Sequence, residues 1–161
     1  MYHYVRPENE NIPGSTPDKL SVLPEVFDKQ MSYLKQLSDK KIIKIIHFSD
    51  LEKYDESRCY PSKKLVLLTS DDGWDDGYRF IFPTIQKYHI PFHFGIISNR
   101  VAPKNGRIDT FMNEAEIRKM LISPLVELLS HSYTHADMSK EDEKYLYHEI
   151  CDSKSFLENT F

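Results

Sequence analysis

The chain has 161 residues, enough for one domain and short for two, with 40% hydrophobic and 29% charged residues. Twenty-one Lys and Arg against 25 Asp and Glu leave a formal charge of −4, which excludes the basic footprint of a protein that binds nucleic acid or an anionic membrane. No apolar run approaches the ~20 residues of a transmembrane segment. The Met1-Tyr2-His3-Tyr4-Val5-Arg6 start carries no basic-then-apolar secretory pattern, so the expectation is a cytoplasmic protein unless a leader is missing from the sequence. Cys59 and Cys151 form no C-x-x-C pair and are expected to be free thiols.

Met1 to Val5 is aromatic and β-branched and predicts a short strand. Pro7 to Leu20, with three prolines and Gly14, predicts a loop. Leu23-Pro24-Glu25 opens a helix in which Phe27, Met31, Leu34 and Leu37 recur at helical spacing, to about Ser38. Ile42 to Phe48 predicts a strand, and Ser49 or Asp50 caps a short helix toward Tyr54. Leu65 to Leu68 is a continuous apolar run that predicts a strand buried on both faces, ending in Thr69-Ser70-Asp71-Asp72-Gly73. A helix from about Asp76 to Tyr88 follows, capped by Asp76 and bent or delayed by Pro83. Phe92 to Ile97 is a strand, Asn99 to Thr110 a loop with Pro103 and Gly106, and Asn113 caps a helix through Leu121. Leu125 to Leu129 is a strand running into Ser130-His131, and about Lys140 to Glu158 forms a last helix. There is no internal repeat. The alternation predicts an α/β fold of about five parallel strands with covering helices, in one domain over residues 1–161.

In that architecture polar residues at strand C-terminal ends share one rim, where active sites sit. Asp71, Asp72 and His131 fall at predicted strand ends, and His3 does so if the first strand is parallel to the others. A metal that activates water needs few protein ligands and an open position. His131 and His135, four apart, with one carboxylate of the acidic pair meet that need, and the other carboxylate is then available as a general base. The spacing alone is weak, because seven His in this length give roughly 0.3 four-apart pairs by chance. His89 and His93 are such a pair, separated by Pro91 and without an acidic companion, and are expected to be structural. By itself Asp71-Asp72-Gly73 also suits a plain turn. A phosphotransferase of the haloacid dehalogenase type is excluded, because it needs an Asp where Ser70 stands.

Thr69-Ser70-Asp71-Asp72-Gly73 is similar to the T-F-D-D-G motif of the polysaccharide deacetylases, the NodB-homology carbohydrate esterases, and His131-Ser132-Tyr133-Thr134-His135 matches their H-[ST]-x-x-H motif. Pro83 to Pro91 resembles the family's passage between the motifs, and Tyr2 to Val5 the first strand of one branch. The resemblance implies a partial, distorted β/α barrel and a divalent metal, Zn2+ above all, with Co2+, Ni2+ or Fe2+ as alternatives. It implies Asp71 as base, Asp72, His131 and His135 as metal ligands, Ser132 orienting the histidine loop, and Gly73 keeping the backbone close to the site. The implied reaction is hydrolysis of an N-acetyl, less often O-acetyl, group on a sugar or polysaccharide.

Ser70 departs from the family's Phe. The family's later motifs, which supply an oxyanion donor and the acid that protonates the leaving amine, do not follow His135. A barrel of this kind takes about 200–250 residues or more. The chain is therefore expected to be the N-terminal part of a deacetylase domain that binds metal, is nearly inactive alone, and self-associates through an exposed barrel edge. The rival expectation is a remnant that serves as a metal- or carbohydrate-binding module, or a subunit completed by a partner. Trp74 is expected either to form a sugar-stacking wall or to pack a loop, His3 to face the rim or to be a hydrogen-bonded structural residue, and Arg100 and Arg107 to be solvated.

Overall fold

The computed structural model describes residues 1–8, 10, 20–56, 64–102, 110–140 and 142–161. Most of the predicted Pro7–Leu20 loop, Cys59, and the loop positions Pro103, Gly106 and Arg107 lie outside these residues. The elements run β1 (Tyr4–Val5), β2 (Ser21–Val22), α1 (Pro24–Asp39), β3 (Ile43–Ile45), α2 (Leu51–Glu56), β4 (Lys64–Val66), β5 (Thr69–Ser70), α3 (Phe82–Tyr88), β6 (Phe92–Ile96), α4 (Glu114–Leu121), β7 (Val126–Ser130), α5 (Glu143–Tyr147) and α6 (Ser153–Thr160). Every strand pair is parallel: β1 with β2, β3 with β4, β5 with β6, and β6 with β7. A parallel bridge from Tyr2 to Ser70 ties the N-terminal strand to β5. The architecture is the predicted α/β fold with parallel strands and covering helices, and among the described residues its ladders do not close into a complete barrel. No described helix is long and apolar enough to cross a membrane.

Local chemistry explains most boundaries. Pro24 sits in the first turn of α1, and Phe27 and Met31 bury its inner face. Asn113 and Glu116 form a reciprocal capping box at α4. Pro83 cannot continue a regular ladder from the preceding turn, so a π-helical turn at Gly77–Ile81 precedes α3, and Pro83 takes the first turn of α3. A second π-helical turn, His148–Asp152, joins α5 to α6 within the predicted last helix.

Two expectations are corrected. The run at Leu65–Leu68 is not one strand buried on both faces: the ladder breaks at Leu67-Leu68, Leu65 and Val66 are only half-buried, and Leu68 alone is buried. The first half of this run pairs with β3, and Thr69-Ser70 beyond it pair with β6, so the break at Leu67-Leu68 lets one segment serve both partners. Asp76 does not cap the following helix with its side chain. Its carboxylate instead accepts the Val5 N–H at 2.8 Å and lies 3.8 Å from buried Arg6 Nε.

The core lies between the strands and α1, α3 and α4. Val5, Phe27, Met31, Ile81, Ile85, Phe92, Phe94, Ile96, Ile117 and Met120 are buried there. Phe92 is fully buried against Phe27, and this aromatic cluster fixes β6 as the central strand.

Candidate metal centre

The two sequence motifs end up on strands that are not neighbours. Asp71 and Asp72 follow β5, His131 follows β7, and β6 runs between them. Gly95 lies on that middle strand. A Cβ there would stand 3.3 Å from Asp71 Oδ1 and 3.4 Å from His131 Cβ, so the missing side chain is what lets the two ends approach.

Asp72, His131 and His135 meet. Asp72 Oδ1 lies 3.3 Å from His131 Nε2 and 3.5 Å from His135 Nε2. Oδ1 is buried and has no hydrogen-bond partner. The other oxygen, Oδ2, accepts the Trp74 indole N–H at 3.0 Å. Four ligands held tetrahedrally at ~2.0–2.1 Å from a zinc ion are roughly 3.3–3.4 Å apart, so Asp72 Oδ1 stands from each imidazole nitrogen at about the spacing such an ion requires, and the three atoms all lie within 4.8 Å of one another. Asp72 is buried, whereas the His131 and His135 side chains are 33% and 56% exposed, which leaves the outward side of the group open.

Burial works to raise the Asp72 carboxyl, but His131, the Trp74 N–H and the charge of His135 bring it below its ordinary range. The Asp72 carboxylate raises the His131 imidazole, against burial, and the Asp71 charge adds to that. A carboxylate beside two imidazoles is therefore an anionic socket with imidazole donors, which suits a borderline divalent cation such as Zn2+, Co2+, Ni2+ or Fe2+.

The backbone at the site is unusual for non-glycine residues. Asp72, Ser132 and His135 have φ of 75, 63 and 68°, beside Gly73 at 80°. The structure compensates on each side. Met112 N–H donates to the Gly73 carbonyl at 2.9 Å. Ser132 Oγ accepts the His135 N–H at 2.9 Å, which holds the turn that presents both imidazoles. Glu149, fully buried in the π turn before α6, accepts Tyr133 N–H, Thr134 N–H and Thr134 O–H at 3.0, 2.9 and 2.6 Å.

Glu149 and Gly95 are absent from the sequence-based candidates. A glycine inside an apolar strand run is the available signal for Gly95. Glu149 has none, because helical spacing from Leu146 points Ile150 inward. The π turn changes the phase, leaving Ile150 57% exposed and Glu149 buried. Trp74 stacks on Phe111 at 4.1 Å and lies 5.1 Å from the Tyr4 ring, contacts of the kind that pack a loop. His3 is half-buried beside Tyr4, and its neighbour Tyr2 exchanges backbone hydrogen bonds with Thr69 and Asp71.

A second group, His47, His93 and Glu127, also brings its polar atoms together. His93 is fully buried, its Nδ1–H donates to the Leu68 carbonyl and its Nε2 accepts the Phe48 N–H, both at 2.8 Å. Both ring nitrogens are thus engaged, and Glu127 accepts the Ser49 hydroxyl at 2.5 Å. This group latches the turn before α2 to β6 and β7 and keeps no lone pair of His93 for a metal.

A profile of the polysaccharide deacetylase family matches residues 59–161, well over half of the chain. The chain is 30% identical over 153 residues to the poly-beta-1,6-N-acetyl-D-glucosamine N-deacetylase of Staphylococcus epidermidis, covering 90% of this chain and 51% of that protein. The Streptococcus pyogenes deacetylase PplD, solved with acetate, shares the fold with a TM-score of 0.80 at 21% identity, over 99% of this chain and 66% of that one. IcaB from Ammonifex degensii does so with a TM-score of 0.77 at 24% identity and the same coverage. The chain thus spans about half to two thirds of the length of these relatives. Profile, fold and the two motifs agree, and the chain belongs to the polysaccharide deacetylase family.

Proposed function

We propose that this chain carries the metal-binding part of a hydrolase that removes N-acetyl groups from a polymer of N-acetylated amino sugar, of the kind named for its Staphylococcus epidermidis relative. The observation that carries the reading is the buried, unpartnered Asp72 Oδ1 facing His131 Nε2 and His135 Nε2 at the separations a tetrahedral ion needs. Asp72, His131 and His135 would hold the ion. When bound, it supplies positive charge that polarises an acetyl carbonyl and acidifies water.

The chain's own residues do the rest. Asp71 is the carboxylate left over when Asp72 is taken as a ligand. Its Oδ1 lies over Gly95, next to the His131 side chain, where it accepts a proton from the attacking water as the general base. Ser132 and Glu149 fix the histidine turn, and Gly73 lets the acidic segment reverse direction close to Ile96.

Two measurements test this. Zinc titrated into the chain against a chromogenic chelator should fill one site, which Asp72→Asn and His131→Ala weaken at least tenfold and Asp71→Asn retains. Acetate release from an N-acetylglucosamine oligomer by the whole encoded protein should fall by about 10²–10⁴ in Asp71→Asn, the worth of a general base. No zinc site, or an Asp71→Asn protein as active as the parent, overturns the reading.

A further inference from the structure

Asp72 has two chemically equivalent oxygens on a soft terminal torsion, so nothing in the residue itself decides which one faces the imidazoles. The structure decides it. The Trp74 Nε1–H, the only polar atom of that side chain, donates to Oδ2, and Oδ1 is the oxygen left toward His131 and His135. The indole in turn cannot swing away. Its ring is stacked on Phe111 with planes 20° apart, and the two residues are also joined by an antiparallel backbone bridge. Tyr4, 6% exposed, lies against it at 5.1 Å.

The column extends further at both ends. The Arg6 guanidinium sits 3.6 Å from the Tyr4 ring centre, and the Arg100 guanidinium 5.4 Å from that of Phe111. Arg6, Tyr4, Trp74, Phe111 and Arg100 form a connected series of contacts, with Trp74 stacked on Phe111, Tyr4 tilted 44° to the indole, and a cation near the ring at each end, contacts that ring quadrupoles favour. It gathers residues from the N-terminal strand, the acidic turn and the segment before α4, and its single hydrogen-bond donor in the middle points at the metal-facing carboxylate. Contacts on the indole from Tyr4 and Phe111, with the Trp74–Phe111 backbone bridge, restrict the donor's direction, which is what a carboxylate needs in order to stay in one orientation.

We propose that Trp74 is a positioning residue, which clamps Asp72 through Oδ2 and thereby sets the affinity of the Asp72–His131–His135 group for a divalent cation. The inference rests on the metal reading of that group. Outer hydrogen bonds to metal ligands are typically worth 10–100-fold in affinity. Trp74→Phe keeps an aromatic ring against Phe111 and Tyr4 while removing the donor together with part of the indole's area, so zinc binding should weaken by about 10–100-fold while circular dichroism stays that of a folded chain and the thermal unfolding midpoint falls by only a few degrees, about that expected of the lost ring area.

The parent supplies a second measurement, independent of the affinity of Trp74→Phe. Trp74 is the only tryptophan among the 161 residues, so its indole gives one 1H–15N cross-peak, identified by its loss in Trp74→Phe. That proton should exchange slowly with solvent, and its resonance should move when zinc is added to the parent and stay put when zinc is added to His131→Ala. Zinc affinity in Trp74→Phe within twofold of the parent overturns the role of Trp74, as does an indole proton that exchanges freely. If the parent itself binds no zinc, the metal reading fails first. If the parent and Trp74→Phe bind equally while Asp72→Asn does not, the metal reading stands and only the clamp fails.

Discussion

Asp72 and Asp76, four positions apart, show how residue surroundings divide one side-chain type. Asp72 lies beside imidazoles and an indole N–H and is held ionised. Asp76 is 2% exposed, and burial pushes its carboxyl up to about 7 although the Val5 N–H and Arg6 pull the other way. Burial likewise lowers Arg6, whose Nε and Nη2 find no hydrogen-bond partner. A carboxyl raised in the folded state holds its proton where the unfolded chain has already released it. Its contribution is therefore full below pH ~4 and is lost as pH rises toward 7. The chain is expected to lose about 2–3 kcal/mol between pH 5 and 8 from this group alone. Urea unfolding at the two pH values checks this, with Asp76→Asn as reference; equal slopes against pH in parent and variant would remove Asp76 as the cause. At this scale the sequence made the grouping legible, since Asp72, His131 and His135, with Asp71 beside them, stand out by identity and spacing and the structure brings the first three together. The sequence hid what one side chain does to another: the Trp74 bond to Asp72 and the replacement of a helix cap by the Arg6 contact depend on residues that are distant in sequence or differently oriented than a local rule assumes.

Elements were legible where a local device sets them. The capping box at Asn113 and the proline at the start of α1 fix their helices whatever surrounds them. The misjudged elements are those in which tertiary partners outvote the local pattern, as at Leu67-Leu68, where one apolar run is shared between two neighbouring strands. The π turn of Glu149 is the most consequential of these, because it places a carboxylate inside to bind the backbone of the histidine turn. Burial acts to raise that carboxyl, but the Thr134 and Tyr133 donors hold it below its model-compound value of 4.5. Its contribution is therefore present above pH ~4.5 and is lost as acid protonates it in the folded state. Glu149→Gln keeps one acceptor and loses the charge, and should cost about 1.5–3 kcal/mol at pH 7, with a smaller difference at pH 4. Thermal or urea unfolding of the two proteins measures it, and a variant as stable as the parent at pH 7 would mean that the three contacts contribute nothing net.

For the molecule as a whole, alternating strand and helix signals sufficed to give parallel pairing, because parallel strands need crossovers. They did not give the stagger that leaves separate ladders. Strand β7 pairs with β6 on one side and, among the described residues, with no second strand. Beside it Leu121, Leu128, Leu157 and Phe161 line the apolar part of a groove that Ser130, Lys154 and Glu158 complete. An open edge next to apolar surface invites another chain. The 161-residue chain is thus expected to self-associate, with a light-scattering mass that rises from micromolar toward millimolar concentration. A constant monomer mass would mean that the edge is protected.

Strand β6 contributes to the candidate metal centre by what it lacks. Neighbouring parallel strands lie about 4.8 Å apart, so β5 and β7 are separated by roughly twice that, and their end groups meet only by leaning across the strand between them. Gly95 leaves that crossing clear. A relative with both the acidic and the histidine motif intact but a bulky residue at this position would keep every letter of the signature and lose the place where the two meet. The diagnostic for such a site in an unfamiliar sequence is therefore three segments rather than two, and the third is recognised by an empty space.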